Sequence, residues 1–461
     1  MYRDLTKGSI TKALLLFALP MAAGDLLQQF YNIADTLIVG QALGKNALAA
    51  VGSAYTLMTF LTSVFLGLSI GAGAMFSICF GKRDRDRLRS AAVHAFVLIF
   101  AVTLLLDLAA YALLDPILHF LQIPAELYAD MREYLQIIFA GLAATFLYNF
   151  LACFLRAVGN SVAPLWFLGA ATLLNVGLDL LFVLVFHWGI AGAAAATVAA
   201  QYVAGIGLLL YVLHGCRDFL PTRAHLHFRA DVLRELLNLS LLTCAQQSSM
   251  NFGILMVQRL VDSFGPVTMA AFAAAVKIDS FAYLPAQDFA NAFSTFVAQN
   301  YGAGHRERLR NGFRKATGTS VLVCCAISAA VVCFAEPLLR IFVQAGETEV
   351  LASGVLYLRI EGACYAGIGC LMLLYGFYRA VERPGMSLVL TVISLGTRVA
   401  LAYAVAGTLG EIGVWIAIPI GWLLADAAGY GFYALRRETL LPPQDAGERS
   451  AETGLHSGTD I

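Results

Sequence analysis

Long apolar segments recur from the N-terminal end of the chain to about residue 437, and clusters of glycine, proline and charged residues separate them. An α-helix needs roughly 20 predominantly apolar residues to cross a hydrocarbon core of about 30 Å. Because each segment reaches that length, the pattern predicts an all-α polytopic membrane protein. The separating clusters place twelve transmembrane helices at about residues 12–38, 46–79, 88–113, 130–156, 161–187, 190–214, 232–262, 267–299, 309–335, 350–379, 386–408 and 412–436.

Composition supports this assignment. Of the 461 residues, 59% are hydrophobic and only 13% are charged, which leaves too little polar surface to cover a water-soluble body. The formal net charge is zero, so nothing indicates a nucleic-acid partner. The nine cysteines form no CxxC pair and are interpreted as small packing residues. We expect a monomer whose main partner is the lipid bilayer.

The two halves of the chain resemble each other. The segment "GKRDRDRLRSA" at 81–91 aligns with "GAGHRERLRNG" at 302–312 at a shift of 221 positions, and "RAV" recurs at 156–158 and 379–381. The repeat predicts two six-helix lobes, and an even number of spans keeps both copies in the same membrane orientation. The predicted bounds are 1–218 for the N-lobe, 219–231 for a linker, 232–437 for the C-lobe and 438–461 for a polar, disordered tail.

Lysine and arginine are distributed unevenly between the two sides of the predicted helices. They concentrate in the N-terminal segment and after the even-numbered spans, whereas the opposite side holds only Lys45, Arg132, Arg259 and Arg340. The positive-inside rule therefore predicts that both termini and the linker are cytoplasmic. The expected location is a plasma membrane of the bacterial inner-membrane type.

The first helix carries a polar stripe that lipid should exclude. Successive helical residues turn by about 100°, so one arc of roughly 80° contains Asp25, Gln28, Asn32 and Asp35. An ionised carboxylate that faces hydrocarbon costs several kcal/mol, so we expect the stripe to face protein or water. For the amides of Gln28 and Asn32, hydrogen bonding to neighbouring helices is the alternative interpretation.

A second polar group lies in the fifth and sixth predicted helices. Asn175 and Asp179 are one helical turn apart, and so are Thr197 and Gln201, so the members of each pair face the same way. We predict that Asp35, Asn175, Asp179 and Thr197 form one oxygen-lined pocket in the first half. Such a pocket can bind a proton shared by two carboxyl groups, or Na⁺, because hard cations prefer oxygen ligands.

The second half does not repeat this pocket. The repeat places Met256 at the position of Asp35, and about Arg398 at the position of Asn175, so ion chemistry is expected only in the first half. For the polar residues within the spans of the second half, ion pairs between helices are an equally good interpretation. These residues are Gln246, Gln247, Lys277, Asp279, Asp288, Glu361, Arg398 and Asp426.

Four segments together resemble the multidrug and toxic compound extrusion (MATE) family. They are "LPMAAGDLLQQFYNIADTLIVGQALGKNALAAVG" at 19–52, "FLRAVGN" at 154–160, "GIAGAAAATVAAQ" at 189–201 and "AQNYGAGHRERLR" at 298–310. The resemblance covers nearly the whole chain up to about residue 437. It implies two six-helix lobes arranged as a V around a central cavity. It also implies secondary active efflux of amphipathic or cationic compounds in exchange for H⁺ or Na⁺, by alternating access.

The resemblance also implies roles for individual residues. Asp35, Asn175, Asp179 and Thr197 match the family's ion-coupling network, and Pro20 matches a first-helix proline at which bending has been proposed. The residues expected to line or gate the substrate cavity are Pro20, Asp25, Gln28, Tyr31, Asn32, Gln201, Gln246 and Glu361. Of these, Gln246 and Glu361 are the candidates for a second cation site that some family members carry.

Two other functions compete with drug efflux. A flippase for lipids or lipid-linked oligosaccharides of the same superfamily would line its cavity with several cationic residues, whereas the spans contain only Lys277, Arg359 and Arg398. An intramembrane enzyme is disfavoured because the sequence contains neither HExxH nor GxSxG. We therefore expect a transporter that needs no cofactor other than the coupling ion, H⁺ or Na⁺.

Overall fold

A computed structural model describes residues 3–120, 123, 125–343 and 346–443, and within these ranges the regular structure is helical throughout. A π-helical turn follows α7 at Leu180–Val185, and short 3₁₀ turns lie at Arg217–Phe219 and Arg223–Leu226. The α-helices are α1 (Ile10–Leu43), α2 (Lys45–Gly81), α3 (Arg85–Ala112), α4 (Leu114–Phe120), α5 (Ala125–Phe139), α6 (Leu142–Ala157), α7 (Val162–Asp179), α8 (Gly189–Gly215), α9 (Ala230–Asp262), α10 (Pro266–Gly302), α11 (Arg306–Cys333), α12 (Ala335–Leu339), α13 (Thr348–Gly362), α14 (Tyr365–Ala380), α15 (Pro384–Leu409) and α16 (Glu411–Leu440).

Nine of the helices in the described ranges are long and apolar enough to cross a membrane. Two further spans are each built from a bent pair, with an angle of 46° between α5 and α6 and 51° between α13 and α14. The remaining predicted span, 232–262, coincides with α9, whose 33 residues include several polar side chains. The chain is a multi-pass membrane protein, and its helices agree with the twelve predicted spans.

Large apolar side chains remain exposed along these helices. Leu105 on α3 and Trp166 and Leu173 on α7 are 67%, 72% and 77% exposed. Water would penalise this surface, whereas the acyl chains of a bilayer cover it without cost. The outward faces of α3 and α7 are therefore suited to lipid contact.

The chain folds into two compact units. Unit 1 contains Phe17–Phe76 and Asp86–Phe252, together with Arg3. Unit 2 contains Asp4–Leu16, Ser77–Arg85 and the chain from Gly253 onward. Unit 2 thus includes two short segments of the N-terminal half, and unit 1 extends to Phe252, inside α9, whereas the predicted lobes divide at the linker 219–231.

The last helix is longer than the sequence predicts. The predicted disordered tail begins at residue 438, but α16 continues to Leu440. An ion pair between Arg306 and Glu438, together with a hydrogen bond from Arg306 to the carbonyl of Pro442, fixes this end of the chain in unit 2. The rest of the predicted tail, from residue 444, lies outside the described residues.

Two predicted spans are broken near their middle. The spans 130–156 and 350–379 were predicted as continuous helices, and this was wrong at residues 140–141 and 363–364. Neither break contains a proline, and the only local signals are glycines, Gly141 in the first break and Gly362 directly before the second. At the first break, a Cβ on Gly141 would lie 2.7 Å from Oε1 of Gln201 on α8, so the bend depends on packing against another helix.

The helix bounds repeat with the shifts found in the sequence. Adding 221 to the bounds of α2 and α3 gives those of α10 and α11, and adding 223 to those of α5 and α6 gives those of α13 and α14. The breaks in the two bent spans are therefore at equivalent positions. Both halves of the chain thus have the same order and length of helices over this region.

A pair of glycines lets two repeated helix ends cross closely within unit 2. A Cβ on Gly81 would lie 2.0 Å from the carbonyl oxygen of Gln299, and a Cβ on Gly302 would lie 2.1 Å from that of Ile78. The two contacts are equivalent because the 221-residue shift relates Ile78 to Gln299 and Gly81 to Gly302. No side chain fits at either position, so backbone packs directly on backbone.

We expect Gly302→Ala to lower the melting temperature of the protein in detergent. The added methyl group must push backbone away, which costs about 1 to 3 kcal/mol for overpacking of this kind. The matched control is Gly318→Ala on α11, because nothing lies within 4 Å of a Cβ at that position. Equal melting temperatures for the two variants would contradict this account of the crossing.

Candidate functional site

Helices α1, α7 and α8 bring four of the predicted site residues into one buried cluster in unit 1. The side chains of Asp35, Asn175, Asp179 and Thr197 are 8%, 1%, 0% and 7% exposed. Asn175 Nδ2 donates to Thr197 Oγ1 at 3.5 Å, and Asp35 and Asp179 are close enough to interact electrostatically. We call these four residues, with Tyr31, the polar cluster.

Tyr31 completes the cluster from α1. Its hydroxyl lies 3.1 Å from Thr197 Oγ1, and it interacts electrostatically with Asp35 and Asp179. Tyr31 and Asp35 are one turn apart on the same face of α1. The predicted role of Tyr31 was cavity lining, whereas the structure places it in direct contact with the predicted ion-coupling residues.

Local sequence explains why α7 and α8 present these groups to each other. Asn175 and Asp179 lie one turn apart on α7, and α8 carries the alanine-rich run that precedes Thr197. Small side chains allow two membrane helices to approach closely, and Ala171 of α7 packs with Ala200 and Ala204 of α8. This close approach of α7 and α8 leaves no room for large side chains between them and places the polar groups opposite one another.

Four oxygen atoms in this cluster are buried without a hydrogen-bond partner in the part of the chain that the structure describes. They are Asp35 Oδ1, Asn175 Oδ1 and both carboxylate oxygens of Asp179. Among the described residues, no arginine or lysine forms an ion pair with either carboxylate. Buried charge is costly unless it is paired or neutralised. The oxygen set therefore suits a bound proton or a hard monovalent cation.

The helix geometry changes directly after Asp179. The predicted span 161–187 is α-helical only to Asp179 and continues as a π-helical turn over Leu180–Val185. Single π turns inside α-helices are rare and frequently occur at functional sites. Periodicity of apolar residues does not distinguish π from α geometry over six residues, so the sequence did not predict this feature.

Sequence reasoning missed Tyr134 on α5. Its side chain is 8% exposed and interacts electrostatically with Asp35, Tyr31 and Asp179. One signal in the sequence is the repeat, because a shift of 223 positions pairs Tyr134 with Tyr357, so tyrosine recurs at this position in both halves.

The rest of the polar stripe on α1 does not join the cluster through any recorded contact. Gln28 is exposed, and Pro20, Asp25 and Asn32 are half-buried. Asp25 is ten residues from Asp35, which is about 15 Å along a helix, and it interacts electrostatically with Tyr148 instead. These residues therefore remain candidates for other roles.

The other three predicted cavity residues lie on three different helices. Gln201 is half-buried on α8 and packs at the break between α5 and α6. Gln246 is buried on α9 within unit 1, whereas Glu361 is buried on α13 within unit 2. The role of Gln246 and Glu361 in a second cation site stays a prediction.

Unit 2 contains its own cluster of buried charged residues. Asp279 on α10, Glu361 on α13 and Arg398 on α15 are 3%, 6% and 9% exposed. Arg398 interacts electrostatically with both carboxylates, and the hydroxyl of Tyr365 donates to Asp279 Oδ1. The charges of the three residues therefore partly compensate one another across three helices, although no ion pair between Arg398 and either acid is found among the described residues. Arg398 stands at the position that the repeat assigns to Asn175 in unit 1.

Comparisons with known proteins identify the family. The model of the MatE family matches residues 20–181 and 239–404. The chain belongs to the MatE family. It is 30% identical to the probable multidrug resistance protein YpnP of Bacillus subtilis, over 94% of this chain and 97% of that protein.

Other MatE relatives extend the comparison. The chain is 24% identical to a FAD transporter of Shewanella oneidensis, over 92% of this chain and 95% of the relative. A solved structure of a multidrug resistance MATE family transporter in an outward-facing conformation has a TM-score of 0.89 and 24% identity, covering 95% of this chain and 98% of that chain. That structure shows the shared fold. The relatives and structural neighbours are membrane transporters.

We expect Arg398→Met to lower the melting temperature in detergent. Without the guanidinium, two buried carboxylates face each other uncompensated, which should destabilise the protein by about 1 to 3 kcal/mol. The double variant Asp279→Asn/Arg398→Met should recover part of the loss, because it removes one of the repelling charges. Arg359→Met is the control, because that arginine is exposed on α13. No recovery in the double variant would contradict the assigned interaction.

Proposed function

We propose that this protein is a secondary active exporter that moves amphipathic or cationic compounds out of the cell in exchange for H⁺ or Na⁺. In this proposal the coupling ion binds at Asp35, Asn175, Asp179 and Thr197. The observation that supports it is the set of four buried, unpartnered oxygen atoms in a cluster to which the described residues contribute no positive charge.

Each residue has a distinct task in the proposed mechanism. Asp35 and Asp179 carry the negative charge that an incoming ion neutralises. Thr197 and Asn175 supply neutral oxygen atoms, and the hydrogen bond from Asn175 Nδ2 orients the amide so that its oxygen faces away from Thr197. Tyr31 fixes the Thr197 hydroxyl through the contact at 3.1 Å.

The bound ion must stabilise one conformation more than the other. A ligand with equal affinity for two conformations shifts no population, however tightly it binds. Neutralising two carboxylates that share one buried site removes their repulsion, so the conformation in which they lie close together gains stability. The proposed exchange uses this gain to favour the state that releases the exported compound.

The names of relatives support export of small molecules, but they point to compounds of different charge. YpnP is named a probable multidrug resistance protein, whereas the Shewanella relative is named a FAD transporter. FAD is an anion. A transport assay on this chain should therefore include a lipophilic cation such as ethidium and an anionic dinucleotide side by side.

We expect Asp35→Asn to lower the rate of gradient-driven ethidium export about tenfold or more while the protein still folds. The amide carries no charge, so binding of an ion can no longer favour one conformation through this residue. The assay uses purified full-length protein in liposomes with H⁺ and Na⁺ gradients imposed separately. Asp107→Asn on α3 is the control, a carboxylate of unit 1 outside the cluster. Unchanged efflux in Asp35→Asn would refute the assignment, and lipid translocation without dependence on either gradient would favour the flippase.

Thr197→Val should distinguish the two coupling ions. A proton needs only a carboxylate, whereas Na⁺ needs several oxygen ligands. The variant removes one such oxygen and keeps the shape of the side chain. If Na⁺ is the coupling ion, we expect the Na⁺ concentration for half-maximal transport to rise about tenfold, the equivalent of a lost hydrogen bond to a charged group. An unchanged Na⁺ dependence, in a protein driven by Na⁺, would exclude Thr197 as a ligand.

A further inference from the structure

The segment between α8 and α9 is attached to the beginning of α3. We call residues 216–229 the linker. Arg89 donates to the carbonyl of Asp218 at 2.8 Å, His225 Nε2 lies 3.3 Å from Asp86 Oδ1, and His94 Nε2 lies 3.0 Å from the backbone nitrogen of Arg229. All of these residues belong to unit 1. Two of the three contacts therefore depend on a histidine ring.

The hydrogen bonds of His94 determine its protonation state. Its Nδ1 lies 2.7 Å from the carbonyl oxygen of Ser90, which can only accept, so Nδ1 carries a hydrogen. Its Nε2 faces the backbone N–H of Arg229, which can only donate, so Nε2 must accept. Only the neutral ring with its hydrogen on Nδ1 satisfies both contacts. A proton on Nε2 would set two donors against each other.

The contacts of His225 tolerate a proton better. Its Nδ1 accepts from the backbone N–H of Thr222 at 3.1 Å and lies 2.8 Å from the Thr222 hydroxyl. If the ring becomes charged, the bond from the Thr222 N–H to Nδ1 is lost, but the hydroxyl can accept from Nδ1 and the contact of Nε2 with Asp86 becomes an ion pair. Acid therefore breaks the linker contact at His94 while the contact at His225 is partly retained.

Other histidines show that the geometry of His94 is distinctive. His119 and His214 make the same bond from Nδ1 to the carbonyl four residues earlier, at 2.7 and 2.9 Å. For neither is an Nε2 contact with a backbone N–H recorded among the described residues. The bond to the linker is thus what separates His94 from an ordinary helical histidine, and His214 is a natural control.

The charged groups around His94 are paired with one another. The guanidinium of Arg229 donates to Asp231 Oδ2 at 3.0 Å, and Arg87 pairs with Glu235 of α9. The ring of Phe228 lies 6.0 Å from the His94 ring. The charged and titratable side chains of the first two turns of α3, of the linker after Cys216 and of the first two turns of α9 are Arg85, Asp86, Arg87, Arg89, Arg217, Asp218, Arg223, His225, His227, Arg229, Asp231, Arg234 and Glu235.

We propose that neutral His94 holds the linker on α3 by accepting a hydrogen bond from the Arg229 N–H, and that protonation of His94 releases this end of the linker. Imidazole is the side chain that changes charge between about pH 5 and pH 8. The attached linker binds only the neutral ring, so attachment is strongest at high pH and weakens as pH falls. The face predicted to be cytoplasmic would thus carry a pH sensor separate from the polar cluster. This proposal does not depend on the transport function.

Hydrogen exchange at the Arg229 amide tests the proposal in the full-length protein in nanodiscs. The measured rate is divided by the chemical exchange rate at each pH to give a protection factor. On going from about pH 8 to about pH 5.5, we expect protection at Arg229 to fall about fivefold, the equivalent of one hydrogen bond. A protection factor that does not change with pH would overturn the proposal without reference to any variant.

Three variants sharpen the test. In His94→Gln the side-chain oxygen accepts at every pH, and in His94→Phe no acceptor remains, so protection at Arg229 should be independent of pH in both and low in His94→Phe. His214→Gln should keep the pH dependence of the unmodified protein. Retention of that dependence in His94→Gln or His94→Phe, or its loss in His214→Gln, would refute the assignment to His94.

Discussion

The cost of placing a carboxylate inside a bilayer governs both buried clusters in this protein. Transfer of an ionised group away from water costs several kcal/mol unless a counter-charge, a proton or hydrogen-bond donors compensate it. Unit 1 buries Asp35 and Asp179 with unpartnered oxygen atoms, and unit 2 buries Asp279 and Glu361 beside Arg398. Each cluster therefore has two acids to neutralise. In unit 2 the guanidinium of Arg398 supplies part of the compensating positive charge.

The repeat shows that the same helix arrangement carries two different ways of compensating buried carboxylates. The shift of 223 positions aligns Asn175 with Arg398 and Tyr134 with Tyr357, so the tyrosine is shared while the amide and the guanidinium are exchanged. An amide can orient a neighbouring hydroxyl and offer a neutral oxygen to an ion. A guanidinium offers only donors and is always charged. The same position thus carries a neutral oxygen in unit 1, where we propose that a coupling ion binds, and a fixed positive charge in unit 2.

The sequence predicted the helices well because their signals are local. Runs of apolar residues and the clusters between them gave twelve spans that agree with the structure, and the shift of 221 positions reappears in the bounds of α2, α3, α10 and α11. Helical spacing predicted that Asn175 and Asp179 face the same way, whereas their association with Asp35 and Thr197 of two other helices was a hypothesis that the resemblance to the MATE family supported. The use of this cluster as an ion site remains a prediction.

Features that depend on contacts between distant segments were not predictable. The bends at 140–141 and 363–364 follow no proline, and the π turn after Asp179 has ordinary apolar composition. The recurrence of Tyr134 as Tyr357 marks the position but does not show that Tyr134 reaches the cluster. Arg398 was expected near the position of Asn175, but its electrostatic interaction with acids from two other helices was one of several alternatives. In each case the deciding partner lies far away in sequence.

The breaks and the polar clusters are related through the helices that carry them. Tyr134 and Glu361 lie in α5 and α13, the first halves of the two bent spans, and each is within six residues of its break. If each span were one continuous helix, α5 would share its axis with α6, and α13 would share its axis with α14. The directions of Tyr134 and Glu361 would then be set by the packing of α6 and α14. A break allows the first half to take its own direction, at 46° or 51° to the second. The bent spans therefore let one segment pack as an ordinary membrane helix while the other turns its polar side chain toward buried carboxylates.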